Sequence, residues 1–225
     1  ILEELDVFEE MQKCSERVDY LQANLKSGYC VFETPYNKVD ESMYGMGVLR
    51  SALFDALFDK LKKSSVKLHL GVEILSLKEV SSDFDLVVVA NGSYSNLREQ
   101  VPIVKSITQY SYSCLWTTVE EPEKYKGVLQ QYVQGSQEMF GFLPSGVKEG
   151  KRVLSIFWSL PTREKTTWES SFELILNRME KYPIERELLE KIKQQPFSFA
   201  QYLHVELKRP FYKNILFIGD AAHAM

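Results

Sequence analysis

The sequence predicts an α/β protein built on a parallel sheet, with a second, mainly antiparallel sheet and flanking helices. Two apolar runs point to the parallel sheet: Phe84-Asp85-Leu86-Val87-Val88-Val89-Ala90 and Ile215-Leu216-Phe217-Ile218. Each is too short for an ordinary helix, lacks regular polar alternation, and reads as a strand buried on both faces. Each stops in a sharp turn, at Asn91-Gly92 and at Gly219-Asp220. Between them, 110–119, 128–133, 139–143 and 152–160 are rich in aromatic and β-branched residues and separated by Gly, Pro and charged turns, which predicts antiparallel strands.

At 225 residues, with 44% hydrophobic and 26% charged residues, the chain can bury a substantial core. No apolar run approaches the roughly 18 residues of a membrane-spanning helix. The net charge of −4, without a long basic cluster, argues against a nucleic-acid surface. Cys14, Cys30 and Cys114 lie far apart and form neither a metal-ligand spacing nor an even disulfide framework, so free thiols and a cytoplasmic location are expected.

In chain order, residues 1–11 carry an amphipathic helical pattern without a preceding cap signal. Residues 17–36 alternate polar and apolar around Lys26-Ser27-Gly28 and predict a β-hairpin. A helix is expected over 48–63, with Leu49, Leu53, Ala56, Leu57 and Leu61 on one face. Arg50 falls in its first turn, where the helix dipole disfavours a cation, so it either meets an anion or points into water. Short strands are expected at 66–70 and 74–80, followed by the 84–90 strand. After Asn91-Gly92, Ser93 or Ser95 is placed to cap a short helix carrying Arg98. Helices are expected at 168–181, with Phe172, Ile175, Leu176 and Met179 on one face, and at 184–193. Tyr110, Tyr112, Trp116, Phe140, Phe142 and Trp158 fit a core, or the lining of a pocket for a flat substrate. The 215–218 strand then ends at Gly219, with Asp220 as the N-cap of a helix or as a carboxylate that accepts from a sugar hydroxyl. The strand exits at Asn91 and Asp220 are expected on the same edge of one sheet.

The chain offers no metal-ligand cluster, phosphate-binding P-loop or nucleophile elbow, and His69, His204 and His223 stand alone in sequence. No general base and no catalytic side chain is identified. An enzyme of this kind relies on a cofactor for the hard chemistry. Residues 84–98 resemble the Asp-Gly motif of FAD-dependent aromatic-ring hydroxylases, the p-hydroxybenzoate hydroxylase-like monooxygenases: an apolar strand, then Ala-Asp-Gly-x-x-Ser-x-x-Arg. Gly219-Asp220-Ala221-Ala222-His223-Ala224 resembles the family's Gly-Asp motif, and Val48-Leu49-Arg50-Ser51-Ala52-Leu53 its Arg-x-x-Leu helix. Three motifs in the family's order make a specific signal where each alone is weak.

The resemblance implies a Rossmann-like FAD-binding domain over 1–15, 45–100 and 207–225, and a substrate-binding domain over 16–44 and 101–206. It implies that Asp220 meets a ribityl hydroxyl of FAD, with Gly219, Ala221 and Ala222 allowing close approach. Arg50 would lie near the FAD phosphates or ribityl chain, and Asn91, Gly92 and Arg98 would serve FAD and NADPH or NADH. Asn91 departs from the motif's Asp, keeping size and hydrogen bonding while losing charge. The Gly-x-Gly-x-x-Gly fingerprint is not in this sequence, and both ends fall within expected elements, so a middle portion of a longer chain, inactive alone, is expected. The implied activity is hydroxylation of an aromatic or polycyclic substrate with O₂ through a flavin hydroperoxide. The alternatives are a halogenase, a dehydrogenase or reductase of the same fold, or a flavin-binding protein without turnover.

Overall fold

The computed structural model describes residues 1–120, 123–170 and 172–225, with the side chains of all of these except 123, 169, 170, 172 and 175. In chain order the elements are α1 (Phe8–Cys14), β1 (Glu16–Leu25), β2 (Cys30–Pro35), β3 (Gly45–Gly47), α2 (Arg50–Lys62), β4 (Val87–Val89), β5 (Lys105–Glu120) and β6 (Gly127–Gln134). They continue with β7 (Glu138–Lys148), β8 (Lys151–Pro161), α3 (Lys165–Ser170), α4 (Phe172–Met179), α5 (Arg186–Lys193), β9 (Ser198–Leu207), β10 (Phe211–Tyr212), β11 (Ile215–Phe217) and β12 (His223–Ala224). The chain forms two compact units, one of residues 1–66 and 113–200, the other of residues 67–112 and 201–225. Together they combine a Rossmann-like mixed sheet with a separate, mainly antiparallel sheet and its helices. No helix is long and apolar enough to cross a membrane among the described residues.

In the first unit the strands run in the order β5-β8-β7-β6-β1-β2, with β3 also on β1. The expected hairpin is present as β1 and β2, antiparallel from Tyr20 opposite Pro35 to Asn24 opposite Cys30. Alternation decides which side chains enter the core. Phe140 and Phe142 of β7 stand opposite Trp158 and Ile156 of β8 and point the same way, into a cluster closed by Leu176 and Met179 of α4 and Leu188, Leu189 and Ile192 of α5. Phe140 meets Phe142 edge-on at 4.9 Å and Trp158 at 5.7 Å between ring centroids. These three aromatics are core, whereas Tyr110 and Trp116 are exposed. Within the helix expected over 168–181, α3 reaches Ser170 and α4 covers Phe172–Met179, and residue 171 and the side chains of Phe172 and Ile175 lie outside the described residues. Of the apolar stripe on α2 only Ala56 is buried.

An ionic network closes this core at the start of β7. Glu138, buried, accepts from Arg178 Nη2 at 2.6 Å and from the Tyr182 hydroxyl, with Lys26 Nζ at 3.8 Å. Arg178 also pairs with Glu164, and its guanidinium lies 5.3 Å from the centroid of the Trp158 ring. Burial alone raises the Glu138 pKa, but donation from Tyr182 and Arg178 and the charges of Arg178 and Lys26 outweigh it and hold the carboxyl below its ordinary value. A carboxyl with a lowered folded-state pKa contributes stability that is complete above its unfolded pKa and is lost as pH falls through the lower folded value. The urea midpoint of this unit is therefore expected to decline below about pH 4.3, the ordinary Glu pKa. Glu138→Gln is expected to flatten that decline, as denaturation series between pH 7 and pH 3 would record.

The second unit contains the three-stranded sheet β10-β11-β4. β11 runs parallel to β4, in register Ile215–Val87, Leu216–Val88 and Phe217–Val89, and β10 is antiparallel to β11. Asn214 fixes the start of the parallel pair: its carbonyl accepts from Val87 N–H at 2.8 Å, and its Nδ2 donates to the Ser81 and Phe84 carbonyls at 2.8 and 2.9 Å. Val89, Ile215 and Phe217 pack with Leu77, Leu97, Val101 and Ile103 on one side.

Neither strand is buried on both faces as the sequence suggests. Val88 is 47% exposed and Ile218 43%, because alternation along each strand points them away from the cluster that Val89 and Phe217 join. The strands expected at 66–70 and 74–80 do not form. Val66, Leu68, Leu70, Val72 and Leu75 are exposed, and the segment ends in a 3-10 turn at Leu77–Glu79, where the Ser76 hydroxyl accepts from Lys78 N–H. Alternating apolar residues make no strand without a partner for the backbone groups.

Candidate functional site

The parallel pairing of β4 and β11 brings the two strand exits to one edge of the sheet, as expected from the sequence. Past Val89 and Phe217 the ladder continues for one bond, from Ile218 N–H to the Val89 carbonyl at 3.0 Å, and both chains then turn away. Gly92 turns with φ +86° and Gly219 with φ +56°, in the left-handed region that favours glycine. A Cβ built on either would meet nothing within 4 Å, so both loops border open space. Replacing Gly219 by Ala is therefore expected to cost about 1–2 kcal/mol through backbone strain alone. Gly219→Asn is expected to cost less, which thermal unfolding of the pair would check.

Two expected caps are corrected. Ile218, not Asp220, occupies the N-cap of a single 3-10 turn, Gly219–Ala221, closed by Ala222 N–H donating to the Gly219 carbonyl at 2.9 Å. No α-helix continues from it. His223 and Ala224 form β12 instead, paired antiparallel with Glu206 and Val205 of β9, because extended pairing satisfies backbone groups that one short turn leaves free. Asp220 is exposed inside the turn and engages no partner among the described residues. The 3-10 turn Leu97–Gln100 likewise begins at Asn96 without a side-chain cap, and the Ser95 hydroxyl is buried with no hydrogen-bond partner.

The structure brings Asn91, Gly92, Arg98, Gly219, Asp220, Ala221 and Ala222 together in one unit. Asn91 is exposed at the end of β4 and borders a cleft of about 630 Å³ whose lining includes Ile74, Leu77, Phe84, Leu86 and Val88. Ala221 and Ala222 are buried in the cluster that includes Val89 and Leu97, so their small size serves packing. Arg98 is buried and binds backbone carbonyls of both loops, a role its sequence position does not reveal. Arg50 belongs to the other unit, where it is the exposed first residue of α2; the first turn holds no acidic residue, and Leu49 gives no side-chain cap. Sequence reasoning missed Asn214 and Gln100. Gln100 accepts from Leu77 N–H at 2.9 Å and donates to the Leu75 carbonyl at 2.7 Å, tying the irregular segment to the site. Among the described residues no group of His, Cys, Asp and Glu could hold a metal ion.

No protein-family model matches the chain. It is 25% identical over 247 residues to the FAD-dependent monooxygenase notI of Aspergillus sp. (strain MF297-2), covering 96% of this chain and 56% of that protein. The FAD-dependent monooxygenase notI' of Aspergillus versicolor is 24% identical over the same shares. The chain thus spans about half the length of these curated relatives. Among solved structures it superposes on 2-methyl-3-hydroxypyridine-5-carboxylic acid oxygenase with a TM-score of 0.78 at 18% identity, covering all of this chain and 62% of that one. PqsL of Pseudomonas aeruginosa in complex with 2-aminobenzoylacetate gives 0.76 at 15% identity, again over the whole of this chain and 66% of the other. The flavin-dependent brominase Bmp2, as a triple mutant, gives 0.70 at 14%, with 61% of that chain covered. The chain has the fold of these FAD-dependent monooxygenases and hydroxylases.

Proposed function

We propose that the chain is part of an FAD-dependent monooxygenase that uses NADH or NADPH and O₂ to hydroxylate a small aromatic or polycyclic substrate. The observation that carries this is the parallel pair β4–β11, which presents Asn91-Gly92 and Gly219-Asp220 side by side at the C-terminal ends of two strands. Ligands of α/β sheets bind at such edges. The residues present fit a flavin dinucleotide. The open space beside Gly92 and Gly219 admits a ligand close to the backbone, Asp220 offers an exposed carboxylate for ribityl hydroxyls, and Asn91 offers an amide. Arg50 is assigned to the FAD phosphates or ribityl chain, where an anion would relieve its unfavourable place at a helix N-terminus. When bound, FAD supplies the redox chemistry by which one atom of O₂ reaches the substrate. The chain's own part is to hold the cofactor by these residues and, through the sheet assigned to substrate, to orient the substrate and exclude water. Residues 1–15, 45–100 and 207–225 are assigned to cofactor binding, and 16–44 and 101–206 to substrate binding.

The likeness to a brominase supports a second reading, a flavin-dependent halogenase. The two separate by feeding full-length protein FAD, NAD(P)H and a panel of aromatic substrates with and without bromide. Substrate-stimulated NAD(P)H oxidation and oxygen uptake, with a product heavier by one oxygen atom regardless of halide, is the expected result. A brominated product selects the second reading, and no stimulation by any substrate selects a flavin-binding protein without turnover.

A further inference from the structure

Backbone carbonyls from both strand exits converge on one side chain. Arg98 is 2% exposed, and its Nη1 donates to the Gly92 carbonyl at 3.3 Å and to the Ala221 carbonyl at 3.0 Å, while Nη2 donates to the Ser93 carbonyl. Gly92 and Ser93 belong to the loop after β4, and Ala221 to the turn after β11, 123 residues from Arg98 along the chain. Among the described residues no carboxylate pairs with this guanidinium, and its Nε has no partner. A buried cation without a counter-ion is costly unless dipoles surround it, and here the dipoles come from both loops at once. Lys105 steadies the arrangement from the other side, its Nζ donating to the Arg98 carbonyl at 3.3 Å and pairing with Glu99 at 2.8 Å.

We propose that Arg98 is a positioning residue: it clamps the loop after β4 to the turn after β11 and so sets the relative placement of Gly92 and Asp220 at the cofactor edge. Its burial and its three bonds to carbonyls separate it from the residues that touch the ligand directly. The fork geometry matters. A planar guanidinium with five donors holds two loops at fixed angles, whereas a lysine ammonium on a flexible stem does not. The clamp itself depends only on contacts within the chain; its effect on FAD rests on the flavin reading above.

Hydrogen exchange of the full-length, cofactor-free protein tests the clamp. In Arg98→Ala, protection of residues 90–97 and 218–224 is expected to fall together by about tenfold, the loss of a charge-assisted hydrogen bond, with exchange in β7 and β8 unchanged. Added guanidinium ion at millimolar concentration is expected to restore both segments. Should Arg98→Ala not fold, Arg98→Lys is read by the same criterion. Loosening of residues 90–97 alone, or of neither segment, overturns the clamp. FAD titration supplies the second arm. Arg98→Lys is expected to bind FAD about tenfold more weakly than wild type, and equal binding with both loops loosened overturns the positioning role. Wild type that binds no FAD, while the two loops still loosen together, leaves the clamp standing and removes the flavin reading.

Discussion

Arg178→Met is expected to lower the unfolding free energy of the unit containing residues 113–200 by about 3 kcal/mol. Removing one partner of a buried pair leaves the other charge uncompensated, at a usual cost of about 3–5 kcal/mol. Here Glu138 loses its 2.6 Å partner but keeps the Tyr182 hydroxyl and Lys26 at 3.8 Å, which puts the effect at the low end. Glu164 loses the same guanidinium, and the Trp158 ring loses the cation 5.3 Å from its centroid. Chemical denaturation followed by tryptophan fluorescence reads this unit selectively, because the chain's three tryptophans, Trp116, Trp158 and Trp168, all belong to it. Combining Arg178→Met with Glu138→Gln is expected to cost less than the sum of the single changes, by about 1 kcal/mol or more. Strict additivity would mean that the two side chains are not coupled.

Asp220→Ala is expected to weaken FAD binding by about 1.5–3 kcal/mol, the size of a hydrogen bond to a charged group, which is roughly ten- to a hundredfold in dissociation constant. The structure makes this change informative. Asp220 is exposed, caps no helix and engages no partner among the described residues. Its removal is therefore expected to leave the unfolding free energy within about 0.5 kcal/mol of wild type, as for other surface changes away from caps and buried networks. A full effect on FAD with no effect on stability distinguishes a ligand carboxylate from a structural one. The reverse pattern would return Asp220 to a role in the turn.

Much of this site was legible in the sequence because its signals are local. Uninterrupted apolar runs ending in Asn91-Gly92 and Gly219-Asp220 announce strands and the turns that close them, and two such junctions in one α/β chain suggest a common edge. The path of the chain after Asp220 was not legible. Ala221 and Ala222 favour helix by propensity, yet His223 and Ala224 pair with β9, a tertiary choice that overrides a weak local preference. The segment 66–80 fails for the complementary reason, since its alternation is strand-like but no neighbour supplies a ladder. Arg98 shows the same limit at a single residue. Its distance from Gly92 in sequence is readable, but its bond to Ala221 depends on which strands become neighbours. The burial of Phe140, Phe142 and Trp158 came from their positions on alternating strands, once β7 and β8 were paired.

The central claim is that the edge formed by β4 and β11 holds a flavin. Its most direct measurement is the absorption spectrum of full-length protein as purified, together with titration of the cofactor-free protein with FAD. Flavin bands in the purified protein are expected, or saturable FAD binding that Asp220→Ala weakens roughly ten- to a hundredfold. Colourless protein that takes up no FAD would contradict it.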